Sequence, residues 1–279
     1  MEPPIEPQVS DCCNSGCNPC IFDVYEEQLK KYVTKFEHQD EIYCNRKNCI
    51  FPSSYSVFKL DNECEKQLKY KPGQHFLLKG YDLSSGVEFT KAYTPIPYGE
   101  NSKRSFTILV RMYNNGKMCS YLHNLQIGDE TLWRGPYCNF NINYSMKNIL
   151  FIAQGTGIAP IYSILKEMLN NDSCETFLHL FFCCRSFDDI FLRNELYVLK
   201  AHWNFNYEVF LKSSSNIWNK YEEIIHERKL KSEDLNAFIM NKNKKDLQVI
   251  ICGSEEFENC INCYLQGYGI KDNNIFKFD

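Results

Sequence analysis

No stretch of this 279-residue chain stays apolar for the roughly 18 residues that a bilayer-spanning helix demands. Its start, Met1-Glu-Pro-Pro-Ile-Glu-Pro7, has neither the basic region nor the apolar core of a secretion signal. Glu2 stands where N-myristoylation needs glycine. These absences lead us to expect a cytoplasmic chain with no membrane span. A basic excess is missing too: 31 Lys and Arg against 35 Asp and Glu leave a net charge of -4, which argues against a nucleic-acid partner. The imbalance is local. Residues 1–40 carry eight acidic and three basic side chains, net -5, so the remainder is close to neutral. There is no internal repeat, and the one charge run, Lys242 to Lys245, fits a solvated loop.

What is present is ordinary for a globular protein of one or two domains, with 44% hydrophobic and 24% charged residues. The 15 cysteines are odd in number, and Cys183, Cys184 and Cys252 sit inside apolar runs. That placement suits reduced thiols better than a disulfide framework. Phe22, Tyr25, Leu29, Tyr32 and Phe36 recur at helical spacing, predicting a short amphipathic helix over 22–38 that docks on the body or on a partner. Residues 41–143 show short alternating stretches punctuated by Pro, Gly and Asn, the pattern of an antiparallel barrel whose first strand is poorly defined. Beyond 144 the texture changes to apolar strands alternating with helices. Strands expected at 148–153, 177–183, 207–211, 247–252 and 275–278 make a five-stranded, mainly parallel α/β sheet.

The segment Lys91-Ala-Tyr-Thr-Pro95 sets a cation and an aromatic ring on one face of a strand, with a hydroxyl at its end. A flavin dinucleotide calls for such a set: a cation for the pyrophosphate, a ring along the flavin, a hydroxyl for a ring nitrogen. A second strand, Phe106 to Tyr113, stops at Asn114-Asn-Gly116 and leads into a helix near Lys117, whose free N–H groups suit phosphate. A third segment, Asn148-Ile-Leu-Phe-Ile-Ala153, is a buried parallel-type strand feeding Gln154-Gly-Thr-Gly-Ile-Ala-Pro160 and the amphipathic stretch 161–169. Two glycines let backbone approach a ligand, and Pro160 falls where a missing N–H costs little. The full G-x-G-x-x-G fingerprint is absent, because Pro160 replaces its third glycine.

Pro72-Gly-Gln-His75, Lys91-Ala-Tyr-Thr-Pro95, Gly116-Lys-Met118, Trp133-Arg-Gly-Pro136, Gly155-Thr-Gly-Ile-Ala-Pro160, Asp189-Ile-Phe-Leu-Arg193 and Cys252-Gly253 occur in the order and spacing of the NADH-cytochrome b5 reductases. From about residue 55 to its end the chain resembles that family of ferredoxin reductase-like flavoproteins. The first forty residues look like the cysteine-rich oxidoreductase-like segment, which points to the NADH-cytochrome b5 reductase-like subgroup. The resemblance implies an FAD-binding barrel followed by a nicotinamide-binding sheet. It implies an enzyme that takes hydride from NADH and passes single electrons to an acceptor such as cytochrome b5. It also places Thr94 at the flavin N5 edge, Tyr93 and Tyr113 against the flavin, and Gly116, Lys117, Met118 and Cys119 at the FAD phosphates. Thr156 stands where FAD and nicotinamide meet, between Gly155 and Gly157, with Arg111 supplying charge nearby. Cys252 and Gly253 close the nicotinamide pocket, Thr94 and Cys252 being the catalytic pair. Lys91, Ala92, Leu109 and Pro160 complete the cofactor-binding set.

Three departures stand out. Lys91 replaces the usual Arg and loses its two-point grip on a pyrophosphate. Cys119 replaces a Ser. The third strand ends Phe210-Leu-Lys-Ser-Ser-Ser215, without the acidic residue that discriminates against NADPH. In the arm, Cys12, Cys17 and Cys20 have the spacing of three plant-type 2Fe-2S ligands, with Cys44 or Cys49 as a fourth; zinc, or a metal-free thiol arm that includes Cys13, fits equally. No metal site is assigned. A different class of function would make the chain a flavin- or metal-dependent binding module with the arm as its active part.

Overall fold

The computed structural model describes residues 7, 24–25, 41–50, 55–62, 68–82, 85–98, 105–113, 116–213 and 218–278, with backbone only over 41–50, 55–57 and 61–62. Cys12, Cys13, Cys17 and Cys20 lie outside the described residues, as does most of the helix expected over 22–38, of which residues 24 and 25 are helical. Cys44 and Cys49 fall on the first strand.

Strands β1 (Glu41–Ile50), β2 (Tyr55–Asn62), β3 (His75–Tyr81), β4 (Glu88–Tyr93), β5 (Pro95–Ile96) and β6 (Ser105–Arg111), helix α1 (Lys117–Asn124) and strand β7 (Glu130–Tyr137) build the first unit. Its seven strands are antiparallel neighbours in the order β4-β3-β7-β1-β2-β6-β5. Only Thr94 separates β4 from β5, yet β4 pairs with β3 at one edge and β5 with β6 at the other. Residues 88–96 therefore close the sheet on itself, and Thr94 sits at the seam. Phe58, Phe76, Leu78, Phe106, Ile108, Val110 and Trp133 fill the interior. Strand β6 is buried from Ser105 to Val110 because alternate residues serve two cores: Phe106, Ile108 and Val110 face the barrel, while Leu109 packs on the second unit.

That unit runs β8 (Asn148–Gln154), α2 (Ile158–Leu169), β9 (Phe177–Cys184), α3 (Arg193–Leu199), β10 (Phe205–Leu211), β11 (Ile224–His226), α4 (Ser232–Met240), β12 (Leu247–Cys252), α5 (Glu255–Gly267) and β13 (Ile275–Lys277). Its sheet has six strands in the order β11-β10-β9-β8-β12-β13, and every pair is parallel. The expectation of five mainly parallel strands is corrected by β11. Three residues are too few to show a strand period, and they pair only because Glu208 to Phe210 offer them an edge. Central β8 is buried on both faces, with Ile149, Phe151 and Ala153 in one core and Leu150 and Ile152 in the other. Helix α2 keeps only a narrow polar face: every residue but Lys166 and Glu167 is buried, because it is wedged between the sheet and the barrel strand β5. Among the described residues, no helix is long and apolar enough to cross a membrane.

Candidate functional site

The strand order reverses at β8: the chain proceeds outward through β9, β10 and β11, then returns to place β12 on the other side. A crevice forms at such a switch point, outside the carboxyl ends of the strands. Here those ends are Gln154-Gly-Thr-Gly157 and Cys252-Gly253, and register pairs Ala153 with Cys252. Gln154 joins the two turns, its Oε1 accepting from the Ser254 N–H at 3.1 Å. The crevice opens towards the barrel seam, giving one cleft of ≈ 1040 Å³ whose wall includes Tyr93, Thr94, Arg111, Thr156, Cys252 and Gly253.

Two polar ties hold the walls in place. The buried Ser163 hydroxyl on α2 donates to the Pro95 carbonyl at 2.6 Å, fixing the helix beside the seam. Arg111 Nη2 reaches Asp189 Oδ1 at 3.0 Å and Oδ2 at 3.1 Å, with the side chains only 18% and 7% exposed. The Ser186 hydroxyl adds a bond to Asp189 at 3.0 Å. The Arg111 guanidinium also lies 5.4 Å from the Tyr113 ring centroid. Its charge is thus committed to an ion pair between the two units, rather than standing free beside a ligand.

Of the expected site residues, Lys91, Ala92, Tyr93, Thr94, Leu109, Arg111, Tyr113, Gly155, Thr156, Gly157, Pro160, Cys252 and Gly253 line this one cleft. Gly116, Lys117, Met118 and Cys119 are not in its wall. Gly116 caps α1 and Lys117 pairs with Asp82 at 3.5 Å, whereas Met118 and Cys119 are buried. The helix start adjoins the cleft through Tyr113, whose N–H donates to Cys119 Sγ at 3.3 Å and whose carbonyl accepts from the Gly116 N–H at 3.4 Å. No side chain caps it and no acid occupies its first turn.

The two turn glycines differ. Gly155 takes φ +55, and no heavy atom lies within 4 Å of where its Cβ would be. Gly157 has an ordinary backbone, but a Cβ there would stand 2.3 Å from the Cys252 carbonyl oxygen. The first glycine leaves room for a ligand; the second lets the turn pack on β12. Burial pushes the Cys252 thiol up to about 12, with Glu258 adding to the shift, so it is neutral at physiological pH. Tyr93 is 8% exposed and its hydroxyl is likewise raised, by burial first and Cys119 second. That hydroxyl is buried without a hydrogen-bond partner.

Comparison with known proteins bears on what this cleft is for. The profile described as an oxidoreductase FAD-binding domain matches residues 47–142, that of an oxidoreductase NAD-binding domain matches 151–262, and that of the oxidoreductase-like protein N-terminus matches 1–41. The human NADH-cytochrome b5 reductase-like protein is 29% identical, with 99% of this chain and 94% of that protein covered. The chain is an FAD- and NAD-binding oxidoreductase, similar over nearly its whole length to the NADH-cytochrome b5 reductase-like proteins. NADH-cytochrome b5 reductase 1 of Dictyostelium discoideum is also 29% identical, over 88% of this chain and 81% of its own. The cytochrome b5 reductase domain of Ulva prolifera nitrate reductase has the same fold, with a TM-score of 0.75 at 22% identity, covering 86% of this chain and 97% of that domain.

The residues present in this oxidoreductase fit a flavin dinucleotide. The orphaned Tyr93 hydroxyl wants a polar partner from the cleft. Beside it are the Lys91 ammonium, 6.0 Å from the Tyr93 ring centroid, and the half-exposed Tyr113 ring. Sequence reasoning gave no role to several lining residues. His75 and Asp189 lay inside quoted motifs, but Asp189 and Arg111 are 78 positions apart, and no local pattern announces such a pair. Arg185, Lys212, Lys229, Phe257 and Tyr264 lie past strand ends or on α5 and carry no motif.

Proposed function

We propose that this enzyme oxidises NADH at the junction of its two units and delivers electrons singly to a one-electron acceptor such as cytochrome b5. The observation that carries the reading is the convergence of the barrel seam at Thr94, the Gly155 turn and Cys252-Gly253 on one cleft. Bound FAD supplies the conversion of an electron pair into single electrons. The chain's own residues bind and orient.

Lys91 neutralises the FAD pyrophosphate, and the start of α1 receives phosphate oxygens on its free N–H groups. Tyr93 and Tyr113 flank the flavin, and the Thr94 hydroxyl donates to its ring edge from a position fixed on both sides by β4 and β5. On the opposite wall the Gly155 turn admits the nicotinamide dinucleotide, and Thr156 stands where the two cofactors meet. Cys252 and Gly253 close the nicotinamide pocket, the neutral thiol serving as a small uncharged wall that excludes water. Alignment of the two rings within reacting distance is the protein's main contribution to rate. We assign 41–143 to the FAD unit, 144–279 to the NAD unit and 1–40 to an acidic arm that docks a protein partner. The free thiols of Cys119, Cys138, Cys174, Cys183, Cys184, Cys252, Cys260 and Cys263 favour a reducing, cytoplasmic setting.

The test is steady-state turnover of the purified full-length chain with NADH, using ferricyanide and then cytochrome b5 as acceptor. Turnover with both is expected. Flavin-loaded protein that reduces neither would refute the assignment, and reduction of ferricyanide alone would refute the choice of acceptor.

A further inference from the structure

The cleft does not end at the nicotinamide pocket. It continues along the carboxyl ends of β9 and β10 and the segment after β11, with α5 as the facing wall. On the reading that a nicotinamide dinucleotide lies here with its reactive ring at the barrel seam, this far end receives the adenosine half. Phe257 and Tyr264 supply aromatic surface for the base.

Three cations converge on that end. Arg185 follows β9, Lys212 follows β10 and Lys229 follows β11, and all three line the cleft with exposed side chains. The backbone fixes the first two side by side: the Lys212 N–H donates to the Cys184 carbonyl at 3.0 Å, and the Ser213 N–H and hydroxyl each donate to the Arg185 carbonyl at 3.0 Å. Phe210 pairs with His226, which brings the segment carrying Lys229 beside them. Neighbouring arginines are already engaged, Arg111 with Asp189, Arg193 with Glu223 and Arg228 with Asp234. Among the described residues, Arg185, Lys212 and Lys229 have no carboxylate partner.

Carboxylates are scarce at this end. The sequence Lys212-Ser-Ser-Ser-Asn-Ile217 contains none. Of the acids lining the cleft, Asp189 is neutralised by Arg111, which leaves Glu256 on α5. A dinucleotide site that selects a free ribose hydroxyl pair uses a carboxylate at the strand end, whereas one that takes a 2′-phosphate presents cations. This chain has the second arrangement. We propose that Arg185, Lys212 and Lys229 form a 2′-phosphate subsite, so that the enzyme accepts NADPH as an electron donor alongside NADH.

The test is calorimetric binding of 2′,5′-ADP and 5′-AMP to the FAD-loaded full chain at low salt, which reads the subsite without turnover. Binding of 2′,5′-ADP at least about tenfold tighter is expected, with the preference shrinking as salt rises from about 0.05 M to about 0.5 M because exposed charges are screened. In the double variant Arg185→Ala/Lys212→Ala the preference should fall to about twofold or less, and the ratio of kcat/KM for NADPH to that for NADH should fall with it. Equal affinities in the wild type, or a preference untouched by the double variant, would overturn the proposal while leaving the dinucleotide cleft intact. Binding of neither nucleotide, with NADH turnover also absent, would overturn the cleft reading and the proposal together.

Discussion

Gly157→Ala would place a Cβ 2.3 Å from the Cys252 carbonyl oxygen and 2.7 Å from its carbonyl carbon. Ordinary contact begins near 3.4 Å, so about 1 Å must be found between two backbone segments, neither of which can swing aside as a side chain would. Overpacking of this kind costs about 1–3 kcal/mol, and backbone against backbone argues for the upper end. Gly155→Ala is the matched control from the same turn. There the new Cβ meets nothing within 4 Å, and the cost is the left-handed backbone at φ +55, about 1–2 kcal/mol. Urea unfolding of the two variants should therefore rank Gly157→Ala as less stable than Gly155→Ala, with a gap of about 1 kcal/mol or more. Both should weaken nicotinamide dinucleotide binding, the first by shifting the cleft floor at Cys252 and the second by adding a methyl group to open space. A Gly157→Ala protein as stable as the wild type, or more stable than Gly155→Ala, would refute the reasoning.

Other perturbations test other parts of the site. Lys91→Ala should lower FAD retention on dilution, whereas Lys91→Arg, which restores a two-point grip, should maintain or raise it; equal flavin content in both would remove Lys91 from the pyrophosphate. Asp189→Ala leaves the Arg111 charge without its partner in a site where the pair is 18% and 7% exposed. We expect a loss of about 2–3 kcal/mol, somewhat below the range for a fully buried pair, with part of it recovered in the double variant Arg111→Met/Asp189→Leu; strictly additive effects would show that the pair does not couple the two units. A hydrogen bond from His179 holds the Glu208 carboxyl below the usual range against the opposing effect of burial, with His226 helping. Because the folded value lies below the unfolded one, its contribution is complete above about pH 4.3 and fades as pH falls through the folded value. Glu208→Gln should accordingly flatten the fall in stability between about pH 5 and about pH 3, and parallel curves for variant and wild type would reject this.

Much of this architecture is local enough to be read along the chain. Alternation marks β3, where Phe76 and Leu78 point inward, and an unbroken apolar run marks β8. The switch from the first texture to the second matches the change from antiparallel to parallel sheet. The glycine turn and Cys252-Gly253 are legible because each ends a strand in a sharp local signature. What stayed hidden depends on distant partners. Strand β11 exists only as an edge addition to β10, and α2 is buried except at Lys166 and Glu167 because two units press on it. Arg111 reads as a solitary strand charge until the fold brings Asp189 to it. The Gly155 and Gly157 pair shows the same limit within a single turn. One backbone faces open space and the other faces a carbonyl from a strand nearly a hundred residues away, a difference that residue type cannot express.

The central claim is that this cleft joins a flavin to a nicotinamide dinucleotide, and an anaerobic optical titration of the purified full-length chain tests it most directly. The account predicts a yellow protein with about one FAD per chain, whose visible flavin bands bleach on addition of about one equivalent of NADH. Protein that stays colourless after incubation with FAD, or a bound flavin that NADH leaves unbleached, would contradict it.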